Sequence, residues 1–455
     1  MYKSIKVLGC LGFLFSTELL NAADGAAASY RQTPEVVWLL VSAILVFFMQ
    51  AGFKCLEVGL VREKNIVSVG IKNVADWLLG TLAYLAVGFA FMFGPSLFGG
   101  ALGWGPFFLS GRLEGISSEA YPVFFLFQLG FAVTTVTIMS GAVAERIGIT
   151  AYLCAVLGVS VVTYPIFGHW VWGNAAGDGA TSWLANLGFI DFAGSTVVHS
   201  TGAWVALIAV WIVGPRIGRY QPDGTLVAFK PHNLAYSALG VLILWFGWFG
   251  FNGGSALGTG EHPGWVIVNT NIAGAAAGFA AFVHCNFFQK RDHLVEKLFG
   301  GVLGGLVAVT AGCHVFNPLT ATLVGALAGV VHNYSFDLVV RRWRLDDAVG
   351  AIPVHGFCGV FGTLAVALFG DSTKLAMDRW SQLWVQFLGA AVCFVWSAGT
   401  AYVVFSWVRK TVGLRLPPQE EIEGITVGAK NDAAQRAGDD SESFDDETLR
   451  ELLGA

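Results

Sequence analysis

Long apolar stretches recur along the chain, and polar or charged segments separate them. Each is about the length of a helix that crosses the hydrocarbon core of a bilayer, which is roughly 30 Å thick. Eleven can be counted, at about residues 34–55, 72–94, 121–143, 149–168, 195–213, 232–252, 264–284, 298–313, 316–332, 352–370 and 381–407. This pattern predicts an all-α integral membrane protein with eleven transmembrane helices.

The composition agrees with that pattern. Of the 455 residues only 13% are charged and 58 are glycine, and the mean hydropathy is +0.64. These values exclude a water-soluble domain. Glycine and alanine are dense within the apolar stretches, as in 273–281 and 300–309, and small residues let helix backbones approach closely inside a membrane. We therefore expect one compact bundle of helices.

The first 23 residues differ from the eleven stretches. Lys3 and Lys6 precede a short apolar core that ends in small residues at Ala22 and Ala23, which is the pattern of a cleaved signal peptide. We predict a signal peptide over residues 1–23, a membrane domain over 24–410 and a cytoplasmic tail over 411–455. The protein is expected in the inner (cytoplasmic) membrane, with its N-terminus outside and its C-terminus in the cytoplasm.

The distribution of positive charge between the stretches supports this orientation. Sixteen Lys and Arg residues, Lys72 among them, fall in segments on the predicted cytoplasmic side. The four on the other side are Arg31, Arg112, Lys374 and Arg379. An excess of Lys and Arg marks cytoplasmic segments, so the charges agree with the orientation that the signal peptide implies.

The cysteines and the motif content argue against an enzyme. Seven cysteines are present without a CxxC pair, so their spacing indicates neither a disulfide framework nor a metal site. No nucleophile motif, cofactor-binding loop or metal cluster is visible. We expect no enzymatic activity, no cofactor, no bound metal and no nucleic-acid partner.

A nine-residue pattern, D-x-x-G-x-x-x-V-H, occurs twice. The matched residues are Asp191, Gly194, Val198 and His199 in the first copy and Asp347, Gly350, Val354 and His355 in the second. The first copy enters the fifth stretch and the second enters the tenth, so that two repeats of five helices precede a final helix. Because five is an odd number, the second repeat has inverted topology, and functional groups of such repeats gather near the midplane. We predict that the two histidines face each other there.

A lone histidine in a membrane helix is more often a core residue bonded to a neighbouring helix, and we assign that role to His284, His314 and His332. The repeat reverses this preference for His199 and His355, because ionisable groups at membrane depth usually mark a substrate or proton path. Zinc is disfavoured, since no carboxylate or thiol accompanies the pair in a matching pattern.

At these residues the chain resembles the ammonium transporter family (Amt proteins and their Rh relatives), and specifically its Amt-type branch. The stretch "DFAGSTVVHSTG" at 191–202 is similar to the family's fifth-helix signature, and the resemblance extends over about residues 34–416. The other similar stretches, in the family's order, are 49–65, 127–146, 165–173, 244–256 and 346–363.

The resemblance implies a homotrimer with one pore in each subunit, and an outer site for the ammonium ion formed by Trp172, Phe127 and Ser255. An ammonium ion over aromatic faces gains cation–π attraction of about 0.5 to 2 kcal/mol, and a serine hydroxyl can accept one of its N–H bonds. Potassium has no such bonds to donate. Other roles stay open: Trp172 as an interfacial anchor, and Ser255 bonded back to its own helix.

Below that site the resemblance implies a gate of two stacked rings, Phe131 and Phe251, and then the twin-histidine pair. A bare ion in an apolar passage is costly, so deprotonation would let neutral ammonia cross while it hydrogen bonds to the imidazoles. The proton either returns outward or travels separately along a histidine and water route. A phenylalanine in a membrane helix is more often in the core or against lipid, so both gate assignments depend on the resemblance.

Asp191 opens the fifth stretch. Its carboxylate can cap backbone N–H groups and lend negative potential to the outer vestibule, and we favour the structural role. Asp347 is expected to be the equivalent cap in the second copy.

The tail departs from the family. Pro417 and Pro418 end any continuous helix, the acidic run around 439–447 is typical of a solvated tail, and 445–455 has the pattern of a helix start. The segment 420–434 begins like the family's cytoplasmic segment but lacks its usual His-Gly and Ala-Tyr. The resemblance therefore gives only weak support to regulation by a PII-type signal protein.

Three functions compete. The first is transport of ammonium or ammonia. The second is an ammonium sensor in which the same membrane domain is coupled to a cytoplasmic signalling partner, for which the altered tail is a candidate connector. The third, a neutral gas channel of the Rh type, is disfavoured because Trp172 and Ser255 suit a cation better than a gas.

Overall fold

The computed structural model describes residues 34–113, 115–177, 181–256 and 260–424. The predicted signal peptide and the greater part of the predicted tail, including the helix start at 445–455, lie outside these ranges. All statements on structure below concern the described residues.

Eleven long helices form the bundle. Their bounds are α1 Pro34–Leu60, α2 Glu63–Phe93, α3 Tyr121–Ala142, α4 Ile149–Ala175, α5 Ser195–Val213, α6 Leu234–Gly254, α7 Pro263–Phe288, α8 Leu294–Thr310, α9 Pro318–Arg342, α10 Ile352–Phe369 and α11 Arg379–Thr411. The smaller elements are the paired strands Ser96–Leu97 and Leu102–Gly103, the single turns Phe107–Leu109 and Ser372–Lys374, and the short helices Trp183–Asn186 and Pro418–Glu423. The predicted all-α membrane architecture is confirmed.

Ten of the eleven helices have at least 18 residues and are apolar enough to cross a membrane. The remaining one, α8, has 17 residues and so spans about 25 Å at 1.5 Å per residue. Every residue of α8 from Gly300 to Thr310 is buried, which places this short helix inside the bundle, away from lipid.

The charge count assigns Lys72 to the segment before the second span, but in the structure Lys72 lies within a long helix. Lys72 belongs to α2, which begins at Glu63, and only 5% of the residue is exposed. Its ammonium group lies 5.3 Å from the centre of the Tyr152 ring and donates to the carbonyl oxygen of Ser140 at 3.5 Å. These contacts offset part of the cost of burying the charge.

Small residues bring the helices of the second repeat together, as their density in the sequence predicts. A Cβ at Gly325 of α9 would lie 2.3 Å from the carbonyl oxygen of Ala273 in α7, and one at Gly329 would lie 2.2 Å from that of Ala277. Only glycine permits backbones at such distances. Close contact between backbones supplies the dispersion energy that holds helices together where lipid gives no hydrophobic drive.

The two copies of the sequence repeat have the same local structure. Each begins with a glycine in the left-handed region, Gly194 at φ 111° and Gly350 at φ 76°. Each then continues into a six-residue π-helical turn that carries the histidine, Ser195–Ser200 in α5 and Ile352–Phe357 in α10. Because α5 and α10 are five helices apart in an alternating bundle, they begin at opposite ends of it.

Candidate functional site

The structure brings His199 and His355 into direct contact inside the bundle. Their Nδ1 atoms are 3.2 Å apart, and the rings are stacked at 5.2 Å between centroids with 21° between their planes. Both residues are buried. The repeat predicts that the two rings face each other, and this geometry agrees with it.

The contact between the rings makes their outer nitrogens chemically different. In neutral imidazoles one Nδ1 must donate to the other, so the donor ring has an unprotonated Nε2 and the acceptor ring has an Nε2–H. Nε2 of His199 has no hydrogen-bond partner among the described residues. The pair therefore presents one hydrogen-bond acceptor and one hydrogen-bond donor at its two Nε2 atoms.

Aromatic rings stack above the histidines. Phe131 and Phe251 are almost parallel, with centroids 3.9 Å apart and 15° between the planes, and both are buried. The imidazole of His199 continues the stack at 5.4 Å from Phe251. Rings stacked this closely leave no space between them for a small molecule.

The other predicted residues surround the opposite side of this ring pair. Phe127 lies 4.7 Å from Phe131 and Trp172 lies 6.0 Å from it, between ring centroids. The indole N–H of Trp172 donates to the carbonyl oxygen of Asp191 at 2.8 Å, which fixes the orientation of the ring. The hydroxyl of Ser255 donates to the carbonyl oxygen of Phe251 at 2.9 Å, and its lone pairs remain able to accept a bond.

Two carboxylates hold the starts of α5 and α10. Asp191 accepts from the backbone N–H groups of Gly194, Thr196 and Val197 at 2.8 to 3.0 Å. Asp347 accepts in the same way from Gly350 and Ile352. Burial raises the pKa of Asp191 to about 6, against the lowering effect of its N–H donors.

Trp248 was not predicted as part of this site. Its ring stacks on His199 at 5.0 Å with 23° between the planes, and its indole N–H donates to Thr310 Oγ1 at 2.9 Å. A signal for it exists in the sequence, because Trp248 and Phe251 of α6 and Ser255, the residue that follows the helix, are three and four residues apart and therefore lie on the same face.

We call the end of the bundle that holds Trp172 the Trp172 face and the opposite end the Arg216 face. At the Arg216 face, Arg216 lies between two buried carboxylates: its Nη1 is 2.5 Å from Glu145 Oε1, and its Nε is 2.8 Å from Asp346 Oδ2. Arg62 also binds Glu145, and Arg219 also binds Asp346. This network joins the connections between helices at that face.

The first part of the tail packs against the same face. Glu421 in the short helix Pro418–Glu423 is 1% exposed, its carboxylate is 2.8 Å from two nitrogens of Arg415, and it accepts from the backbone N–H of Ile217 at 2.8 Å. Lys64 donates to the carbonyl oxygen of Glu421 at 2.8 Å. The tail therefore remains attached to the bundle as far as the description extends.

These features define a polytopic membrane protein with an inverted repeat and a buried stack of aromatic and histidine rings at its centre. A model of the ammonium transporter family matches residues 37–434. Ammonium transporter Amt2 of Archaeoglobus fulgidus is 40% identical over 442 residues, which cover 90% of this chain and 91% of that protein. The chain belongs to the ammonium transporter family.

Solved structures show the same fold. A structure described as a sensor Amt protein has a TM-score of 0.84 and 41% identity, over 87% of this chain and 98% of that one. Mep2 of Saccharomyces cerevisiae has a TM-score of 0.75 and 25% identity, over 88% of this chain and 90% of that one. Family membership supports ammonium transport, in place of an enzymatic role, as the activity of the chain.

Proposed function

We propose that the chain recruits the ammonium ion at Trp172, Phe127 and Ser255, deprotonates it, and conducts ammonia past Phe131 and Phe251 along the histidine pair. The released proton either returns to the side from which the ion came or crosses separately along the histidines and water. The observation that carries this proposal is the 3.2 Å contact between the Nδ1 atoms of two buried histidines, directly below a stacked pair of phenylalanine rings. An ion without its water is costly in such surroundings, whereas neutral ammonia is not.

Selectivity follows from hydrogen bonding. Ammonium and potassium are of similar size, but only ammonium can donate N–H bonds to Ser255 and lose a proton. Ammonia can then donate to the unprotonated Nε2 of one histidine and accept from the Nε2–H of the other. Potassium has neither a proton to lose nor bonds to donate, so the apolar path excludes it.

The Trp172→Leu variant is expected to raise the half-saturation concentration for ammonium, by between about twofold and thirtyfold, with less effect on the maximal rate. The reason is that cation–π attraction of about 0.5 to 2 kcal/mol acts on the ion before deprotonation. Transport rates over a range of ammonium concentrations measure this effect. Trp380→Leu, at a residue that is 76% exposed, is the matched control, and equal half-saturation concentrations in the two variants would contradict a recruitment role.

The proposal also covers the membrane orientation of the chain, its domain boundaries and its oligomeric state. We place the Trp172 face outside an inner membrane and the Arg216 face, with the tail over 411–455, in the cytoplasm, because Lys and Arg accumulate at the Arg216 face. Residues 24–410 then form the membrane domain.

A homotrimer is supported by family membership and by exposed large apolar side chains such as Trp265 and Phe279, which suit contact with lipid or with a neighbouring subunit.

A sensor is the second candidate function, because a structure described as a sensor Amt protein has the same fold at 41% identity. Currents from proteoliposomes on a solid-supported membrane discriminate between the two. A pulse of ammonium chloride is expected to give a current that an equal pulse of potassium chloride does not give. Absence of that current, together with retained ammonium binding, would favour a sensor that acts through a PII-type or other cytoplasmic partner.

A further inference from the structure

A buried carboxylate lies between the histidine pair and the Arg216 face. Glu57 of α1 is 2% exposed, and its Oε2 accepts from Asn73 Nδ2 at 3.1 Å and from Ser140 Oγ at 3.0 Å. Among the described residues Oε1 accepts no hydrogen bond, so one oxygen is left for a ligand. Ionisable groups at membrane depth are costly, and those that persist usually have a function.

Glu57 and His355 line the same cavity. Its volume is about 30 Å³, enough for one or two molecules of the size of water or ammonium. A second cavity of about 40 Å³ extends to Arg216. The two cavities share four lining residues, which are Leu60, Glu296, Val349 and Gly350. Glu57 therefore borders the space between His355 and the cavity at Arg216.

The nearby cation does not occupy the free oxygen of Glu57. The ammonium group of Lys72 lies at the carbonyl oxygen of Ser140 and over the ring of Tyr152. The hydroxyl of Tyr152 in turn donates to Asp76 Oδ2 at 2.7 Å. Lys72 and Glu57 attract each other through their charges, but no ion pair joins the two side chains among the described residues. Glu57 therefore keeps hydrogen-bonding capacity toward the cavity.

We infer that Glu57 binds the ammonium ion in this cavity, as a second site on the opposite side of the histidines from Trp172. This inference rests on the proposed function, since it takes ammonium to be the ion on both sides of the histidine pair. A carboxylate forms short, charge-assisted hydrogen bonds with an N–H donor, and potassium cannot form them. An ion that enters from the Arg216 face passes Glu296, which lines both cavities, before it reaches Glu57 beside the histidines. An ion that enters from the other face meets Trp172 first.

Transport measured separately from each face tests this site. Right-side-out and inside-out vesicles from the same cells, adsorbed to a solid-supported membrane, are exposed to ammonium chloride. The Glu57→Gln variant should raise the half-saturation concentration about tenfold for ammonium supplied at the Arg216 face and leave it unchanged at the Trp172 face. Trp172→Leu should raise the half-saturation concentration at the Trp172 face and leave it unchanged at the Arg216 face. The two variants together therefore identify which face each vesicle preparation exposes. Glu63→Gln, at an exposed carboxylate six residues away, is the control.

A binding measurement separates this inference from the transport proposal. Infrared difference spectra of the reconstituted wild-type protein, taken between ammonium chloride and potassium chloride, should contain a carboxylate band that is lost in Glu57→Gln and kept in Glu63→Gln. Loss of the band supports the site even if no current is seen. If Glu57→Gln fails to assemble, Glu57→Asp should shift the band and raise the half-saturation concentration at the Arg216 face. An unchanged band and unchanged kinetics in a folded variant would overturn the inference and leave Glu57 a structural link between α1, α2 and α3.

Discussion

The single variants His199→Asn and His355→Asn are expected to alter the coupling of ammonia to protons and to admit potassium, the largest functional change that we predict for this chain. Asparagine retains polar atoms at each position but cannot take up and release a proton near neutral pH. The asparagine amide also accommodates water, and water beside the amide lowers the free-energy cost of moving an ion past it. The change in selectivity should exceed that of any other single substitution considered above.

The two histidines should behave as one unit in this experiment. Their Nδ1 atoms share a single hydrogen bond, so either substitution removes the alternation of donor and acceptor on both rings. The loss of ammonium current and selectivity in the double variant is therefore expected to be much smaller than the sum of the losses in the two single variants. Ammonium and potassium currents from the two single variants and the double variant measure this non-additivity.

A buried histidine outside the path is the appropriate control. His284 of α7 is bonded to Asn333 at 3.2 Å and stacks on Phe288. His284→Asn should leave the ratio of ammonium to potassium current unchanged. Strictly additive losses at His199 and His355, with selectivity unchanged, would show that these rings are independent core residues.

Some features of the site could be predicted from the sequence and others could not. The shared pattern of Asp, Gly, Val and His predicted that His199 and His355 would meet, because topology alone relates the two copies of an inverted repeat. The π-helical form of both turns was not predicted, since it depends on the register that Asp191 and Asp347 impose on backbone N–H groups. Such register is a property of the folded chain.

The ends of the first two spans show where hydropathy fails. A window of average hydropathy treats each charge as exposed, so the prediction ended the first span before Glu57 and began the second at Lys72. In the structure both residues are buried in helices, where Asn73 and Ser140 bond to Glu57 and the ring of Tyr152 faces Lys72. Partners from three other parts of the chain cannot be identified from local composition.

Arg216→Met is expected to cost the most stability, about 3 to 5 kcal/mol, because it removes one partner of a buried ion network. Arg216 donates to Asp346 through Nε, Nη2 and its backbone N–H at 2.8 to 2.9 Å, and to Glu145 through Nη1 at 2.5 Å. Both carboxylate side chains are fully buried. Methionine fills much of the volume but leaves each carboxylate with one fewer positive neighbour.

The stability lost in Arg216→Met should decrease as the pH is lowered. Burial alone would raise the pKa of Glu145 and of Asp346, but the positive charges around them, Arg216 foremost, outweigh burial and lower both values. A carboxylate whose pKa is lowered on folding contributes stability above its unfolded pKa, about 4. That contribution is lost as the pH falls through the folded pKa. The difference in stability between wild type and Arg216→Met should therefore be full near pH 7 and shrink below about pH 4.

Unfolding of the detergent-solubilised protein by denaturant, followed at several pH values, measures this prediction. Arg341→Met is the matched control, because Arg341 pairs with Asp292 at a site where both side chains are more than 40% exposed, and exposed ion pairs contribute about 0 to 1 kcal/mol. The free energy of unfolding of the Arg341→Met control should differ little from that of the wild type at any pH. A small effect of Arg216→Met at pH 7, or a difference that grows as the pH falls, would mean that the network at the Arg216 face is not a major source of stability.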